Sequence, residues 1–152
     1  MKHKLVRIAL VVLEAFVALS AVAGGIALLT GTFAQGIPVA WLQGTPFSDY
    51  TIPGLVLAIV VGGGMGVAAI TVFIHREWAV LISVVAGIFM VGFEVVEAAS
   101  VDSKAGNGLP LMAGLQVFYF VLGLAIFGLA TYLWMTEYRY HSFLTRHASH
   151  AS

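Results

Sequence analysis

Residues 79–100 read AVLISVVAGIFMVGFEVVEAAS, and the reading of this stretch decides the fold. From Ala79 to Phe93 it holds no charged side chain. It is long enough to cross a bilayer, because about 20 apolar residues of helix span a hydrocarbon core about 30 Å thick. It lacks the alternation of a membrane β-strand. In lipid, such a continuous run can satisfy its backbone only as a helix. Into this helix the chain sets Glu94 and Glu97, one turn apart and on one side.

Three further runs qualify by the same measure, at about 5–30, 52–74 and 109–135. With about 79–100 they predict an all-α, integral membrane four-helix transmembrane bundle occupying residues 1–136, followed by a polar tail over 137–152. Composition agrees. Charged residues make up 9% of the chain and apolar residues 61%, where a soluble domain carries about 25% charged residues to coat its surface. Lipid is therefore the solvent for most of this chain. The formal net charge is zero, so no basic face is offered to nucleic acid. Cysteine is absent, which excludes disulfides, thiol catalysis and cysteine-held metal clusters.

Met1-Lys2-His3-Lys4 resembles the basic start of a secretory signal, and Ala21-Val22-Ala23 resembles a cleavage site. The apolar run from Val6 to Leu29 is too long for a signal core and is interrupted by Glu14, so an uncleaved first span is expected. Lys and Arg set the orientation. With the N-terminus inside, Lys2, Lys4, Arg7, Arg76, Arg139 and Arg146 are cytoplasmic and only Lys104 is outside. Both termini are expected in the cytoplasm. Trp78, Trp134, Tyr138 and Tyr140 then fall at the inner interface, with Trp41, Phe47 and Tyr50 at the outer one.

The connections differ in kind. His75-Arg76-Glu77-Trp78 permits only a tight inner turn, so spans two and three form a hairpin. Residues 101–108 read as a polar outer turn. The first outer loop, 31–50, is longer; its residues 37–42 are expected to lie at the interface or cap the bundle. Ser48, Asp49 or Thr51 is placed to cap the second span, and Pro53 is tolerated in the first turn. Within that span, Gly62 and Gly66 make a small-xxx-small face for close helix packing.

The run Pro46-Phe47-x-Asp49-Tyr50-x-Ile52-Pro53-Gly54-Leu55, the glycine cluster, Val96-Glu97, and Leu115-Gln116-x-x-Tyr119-Phe120-x-x-Gly123 resemble a group of small four-helix bacterial membrane proteins of uncharacterised function. The similarity spans about Pro46 to Gly128. It implies a compact four-span protein of a bacterial or archaeal membrane in which Glu97 and Gln116 belong to the shared pattern. It implies no activity.

The polar residues inside the spans carry any function. Counted inward from Ser100, Glu97 lies near the outer headgroups and Glu94 roughly 9 Å below Ser100. A carboxylate in lipid is costly, so both should face the bundle or a water-filled crevice. The fourth span runs back from Leu109, which places Gln116 at the depth of Glu94 and Tyr119 a turn below. A carboxyl–carboxamide hydrogen bond between Glu94 and Gln116 is the expected partnership. The group is then either a structural clamp or a proton or cation site opening outward. Glu14, two turns inside the first span, is expected to pair with Arg7, with His75 or Arg76, or with a hydroxyl such as Thr71.

No histidine lies in the middle of a span, as a haem ligand would, and His141, His147 and His150 are not spaced as a helical metal site. No nucleophile triad, phosphate loop, zinc-protease motif or dinucleotide fingerprint is present. The expectation is thus a non-enzymatic small membrane protein without metal or cofactor. Its partners would be the bilayer and either its own copies or a larger membrane complex, and its role structural or accessory, through glycine-rich faces. The alternative is an oligomeric proton or cation channel or transporter using Glu94 and Glu97. A membrane enzyme, or a quinone or lipid binder at the outer crevice, ranks last.

Overall fold

Each apolar run closes its own backbone hydrogen bonds, and the chain becomes four antiparallel helices: α1 over Lys2–Leu29, α2 over Thr51–Phe73, α3 over Ala79–Ala105 and α4 over Pro110–Ala148. All four are long and apolar enough to cross a membrane. The computed structural model describes residues 2–32, 38–75, 78–105 and 110–148, with side chains at 3–32, 38–40, 42–75, 78–99 and 114–136. The near side is the end that carries His3, His75 and Trp78; the far side carries Tyr50 and Glu97.

The helices form a ring in chain order, each packed on its neighbours, with α4 closing back on α1 and with α1 and α3 on the diagonal. Leu10, Val17, Met65, Met90, Ile126 and Leu133 fill the centre and are 2% exposed or less. The outer surface is apolar too. Leu19 is 75% exposed, Phe73 71% and Ile59 65%, a pattern that only a hydrocarbon solvent makes cheap.

Helices in lipid gain little from hydrophobicity and are held by close backbone approach. Glycine supplies it. A Cβ on Gly25 would fall 2.6 Å from both Ala58 Cβ and Gly54 O, and one on Gly62 would fall 2.7 Å from Val22 Cγ2. The expected packing role of Gly62 is therefore exercised against α1, while Gly66 is looser, with Ala18 Cβ at 3.9 Å. Between α3 and α4, Gly87 lies against Phe127 and Gly123 against Val91.

Three details differ from the sequence reading. The middle of α2, Val56–Gly63, is wound as a π-helix between α-helical ends. The widened turn ends in Gly62-Gly63, which carry no side chains for it to crowd. Second, α3 continues to Ala105, through residues assigned to the outer turn. Polar side chains do not stop a helix once it leaves lipid, and the first breaker is Gly106. Residues 106–109 lie outside the described residues. Third, the tail is helical as far as Ala148. At 39 residues, α4 reaches about 58 Å, well beyond a hydrocarbon core of about 30 Å.

On the far side, Gly31 (φ 70°) ends α1 in the left-handed conformation that glycine adopts freely. Residues Val39–Leu42 form a 3-10 turn that packs on α3. Tyr50 Oη donates to Pro38 O at 3.1 Å, which ties this turn to the start of α2. Of the three candidate caps it is Asp49 that acts, its Oδ1 accepting from Thr51 N at 2.8 Å. On the near side, His75 turns the α2–α3 hairpin with φ 54° and donates from Nδ1 to Phe73 O at 2.9 Å. Trp78 and Trp134 are 71% and 48% exposed at this same end, where interfacial tryptophans gather.

Candidate functional site

A helix buries the row of residues spaced by four, three and four. On α1 that row is Leu10, Glu14, Val17 and Ala21; on α3 it is Ser83, Gly87, Met90 and Glu94, and all eight are buried. On each helix, therefore, a carboxyl occupies the row that packing turns inward. Glu14 is 0% exposed and Glu94 8%.

Glu14 sits at the middle of the ring. Its polar neighbour is Ser83, reached across the diagonal between α1 and α3. Ser83 has one hydroxyl hydrogen, and it is given to Ala79 O at 3.1 Å. Neither carboxyl oxygen of Glu14 makes a hydrogen bond among the described residues. Continuing the Gly87–Phe127 and Val91–Gly123 pairings toward the near side brings Thr131 level with Ser83. The Thr131 hydroxyl is also buried without a hydrogen-bond partner among the described residues.

The expected partners of Glu14 are engaged elsewhere. Thr71 Oγ1 donates to Ala68 O at 2.9 Å, and His75 is exposed and bonded to Phe73 O. Neither Glu14 oxygen is hydrogen-bonded to Arg7, which lies seven residues and about 10 Å closer to the near-side end; Arg76 lies outside the described residues.

Glu94 is eleven residues farther along α3, about 16 Å from Ser83. Glu97 stands half-buried beyond it, close enough for its charge to act on both Glu94 and Tyr50. Burial, and secondarily that charge, hold the Tyr50 phenol above its ordinary range. The far-side group is thus Glu94 at the bottom, Glu97 above it, and Tyr50 tethered to Pro38 at the rim.

Gln116 and Tyr119 are half-buried on α4. Tyr119 packs edge-on against Phe118 with ring centroids 5.4 Å apart, and Phe118 packs edge-on against Phe16 at 6.2 Å. No hydrogen bond joins Glu94 to Gln116. The register explains it. Carried outward, the Gly87–Phe127 and Val91–Gly123 pairings set Glu94 opposite Phe120 and Ala98 opposite Gln116. Gln116 is therefore about 6 Å farther out than Glu94, beside the level of Glu97.

No family model, curated protein or solved structure matches the chain. The site is read from its own chemistry. It consists of two carboxyls on the core rows of diagonal helices, one enclosed and one opening to the far side. Sequence reasoning passed over Ser83 and Thr131. For Ser83 the signal was there, since it shares the 83-87-90-94 row with Glu94.

Proposed function

We propose that the protein is a non-enzymatic, multi-pass membrane protein that binds and releases protons through Glu94 on its far side and Glu14 in its core. The observation that carries this reading is the enclosure of Glu14 at 0% exposure with no hydrogen bond to either oxygen among the described residues. An intramembrane carboxyl is costly, and a merely structural one would be expected to be paired. A metal cation is the poorer occupant. It needs several oxygen ligands, and Ser83 is the one polar neighbour identified beside Glu14. Between the two levels lie Val17, Met65 and Met90, all apolar and buried. Passage of protons from one carboxyl to the other then requires helix movement, water entry, or a path between copies of the chain. We place the protein in the cytoplasmic membrane of a prokaryote with both termini inside, from its Lys and Arg distribution and its resemblance to small bacterial four-helix proteins.

The test is proton flux in liposomes reconstituted with the pure protein, with a pH-sensitive dye inside and a potassium diffusion potential as the driving force. Wild type should acidify the lumen, Glu94→Gln and Glu14→Gln should reduce the rate at least tenfold, and Glu97→Gln should reduce it less. A wild-type rate equal to that of empty vesicles would overturn the reading, as would full activity in both core variants.

A second reading, an accessory protein that assembles with other membrane helices, is supported by a different observation. Gly63, Gly64, Gly92, Gly114 and Gly128 have open space where a side chain would stand, so a partner's helix could approach their backbones closely. Co-purification of a second membrane protein, together with inert liposomes, would favour it.

A further inference from the structure

The contact between α1 and α2 loosens toward the near side. A Cβ would clash at Gly25 and Gly62 but would meet Ala18 Cβ at an ordinary 3.9 Å at Gly66. Past that point a groove of about 640 Å³ lies between the first turns of α1 and the last turn of α2. Its apolar wall includes Ile8, Val12 and Phe73, which are 50%, 60% and 71% exposed. Four basic side chains stand around it, His3, Lys4, Arg7 and His75, and among the described residues no aspartate or glutamate lines it. Lys4 and Arg7 are one turn apart on the same side of α1.

We propose that this groove holds one anionic phospholipid of the near-side leaflet. Its acyl chain would lie along Ile8, Val12 and Phe73, and its phosphate among Lys4, Arg7 and His75. Position argues for a lipid over a soluble anion. Ile8, Val12 and Phe73 belong to the membrane spans, so the wall lies at hydrocarbon depth and the occupant needs a chain. Charge argues for an anionic lipid over a zwitterionic one, because basic clefts between helices at the interface select headgroups with net negative charge. The inference is independent of the carboxyl site.

Native mass spectrometry of the detergent-purified protein, titrated with phosphatidylglycerol or phosphatidylcholine, tests it. Wild type should retain one phosphatidylglycerol at least tenfold better than phosphatidylcholine. The double variant Lys4→Gln/Arg7→Gln should lose that preference, and Lys4→Arg/Arg7→Lys should keep it. Val12→Trp, which fills the groove and removes no charge, should also lose the bound lipid, and an unchanged thermal melt would establish that each variant is folded. Equal retention of the two lipids by wild type would overturn the proposal, as would full retention in Val12→Trp. Displacement by millimolar glycerol phosphate would assign the groove to soluble anions and overturn it equally.

Discussion

Ser83 stands beside Glu14 at the centre of the bundle with its single hydroxyl hydrogen committed to Ala79 O at 3.1 Å. The hydroxyl beside Glu14 thus has a backbone acceptor of its own, and neither Glu14 oxygen is hydrogen-bonded among the described residues. Stability follows from that geometry. A buried polar group without a hydrogen bond costs about 1–3 kcal/mol. Glu14→Leu should therefore raise the unfolding free energy by about that amount, while Glu14→Gln leaves it nearly unchanged and Glu14→Lys lowers it. Denaturant titration in detergent micelles measures all three. A clear loss of stability in Glu14→Leu would mean that Glu14 has a partner that strengthens the fold. A gain in stability with a loss of flux would mark the carboxyl as retained for function at the expense of packing.

Glycines in this chain divide into two kinds by what surrounds them. Gly25→Ala puts a methyl 2.6 Å from Ala58 Cβ and from a backbone oxygen that cannot swing away. Overpacking of this type costs about 1–3 kcal/mol. Gly92→Ala, inside α3, meets nothing within 4 Å and should gain up to about 1 kcal/mol of helix propensity. Paired thermal melts would compare them, and equal effects would contradict the α1–α2 contact described above.

The offset between Glu94 and Gln116 can be measured as an energy. In a double-mutant cycle with Glu94→Gln and Gln116→Leu, the coupling should be below about 0.5 kcal/mol, the level found for groups without a shared contact. The cycle joining Glu94→Gln with Glu97→Gln should exceed it. A large Glu94–Gln116 coupling would restore the clamp that sequence reasoning anticipated.

Asp49 makes the start of α2 sensitive to acid. Its carboxylate accepts from Thr51 N, and that bond holds its pKa below the ordinary 3.8. A group depressed on folding contributes its stability above its unfolded pKa and loses it as pH falls through the folded value. The contribution should therefore be complete above about pH 4 and fade below it. Asp49→Asn should keep the cap and lose this acid-dependent part. Hydrogen exchange at the first amides of α2, followed from pH 6 to pH 3, reads the difference directly.

The sequence by itself determined the four helices, because a run of some 20 apolar residues in lipid has no other way to satisfy its backbone. It also singled out Glu14, Glu94 and Glu97, since a carboxyl is conspicuous in hydrocarbon, and Gly62 as a packing residue. What it could not determine was who meets whom. Gln116 looked level with Glu94 when depth was counted from the helix ends. The true register comes from Gly87 under Phe127 and Gly123 under Val91, and those contacts are known only once two helices are placed together. Glu14 looked like half of an ion pair, because Arg7 shares its face. In the bundle, α1 turns Leu10, Glu14 and Val17 to the centre, where Ser83 of the diagonal helix is the polar side chain beside it. Helix formation is a local matter of backbone hydrogen bonds and can be read along one chain. Register and facing depend on how close two backbones come, and the tertiary structure alone decides that.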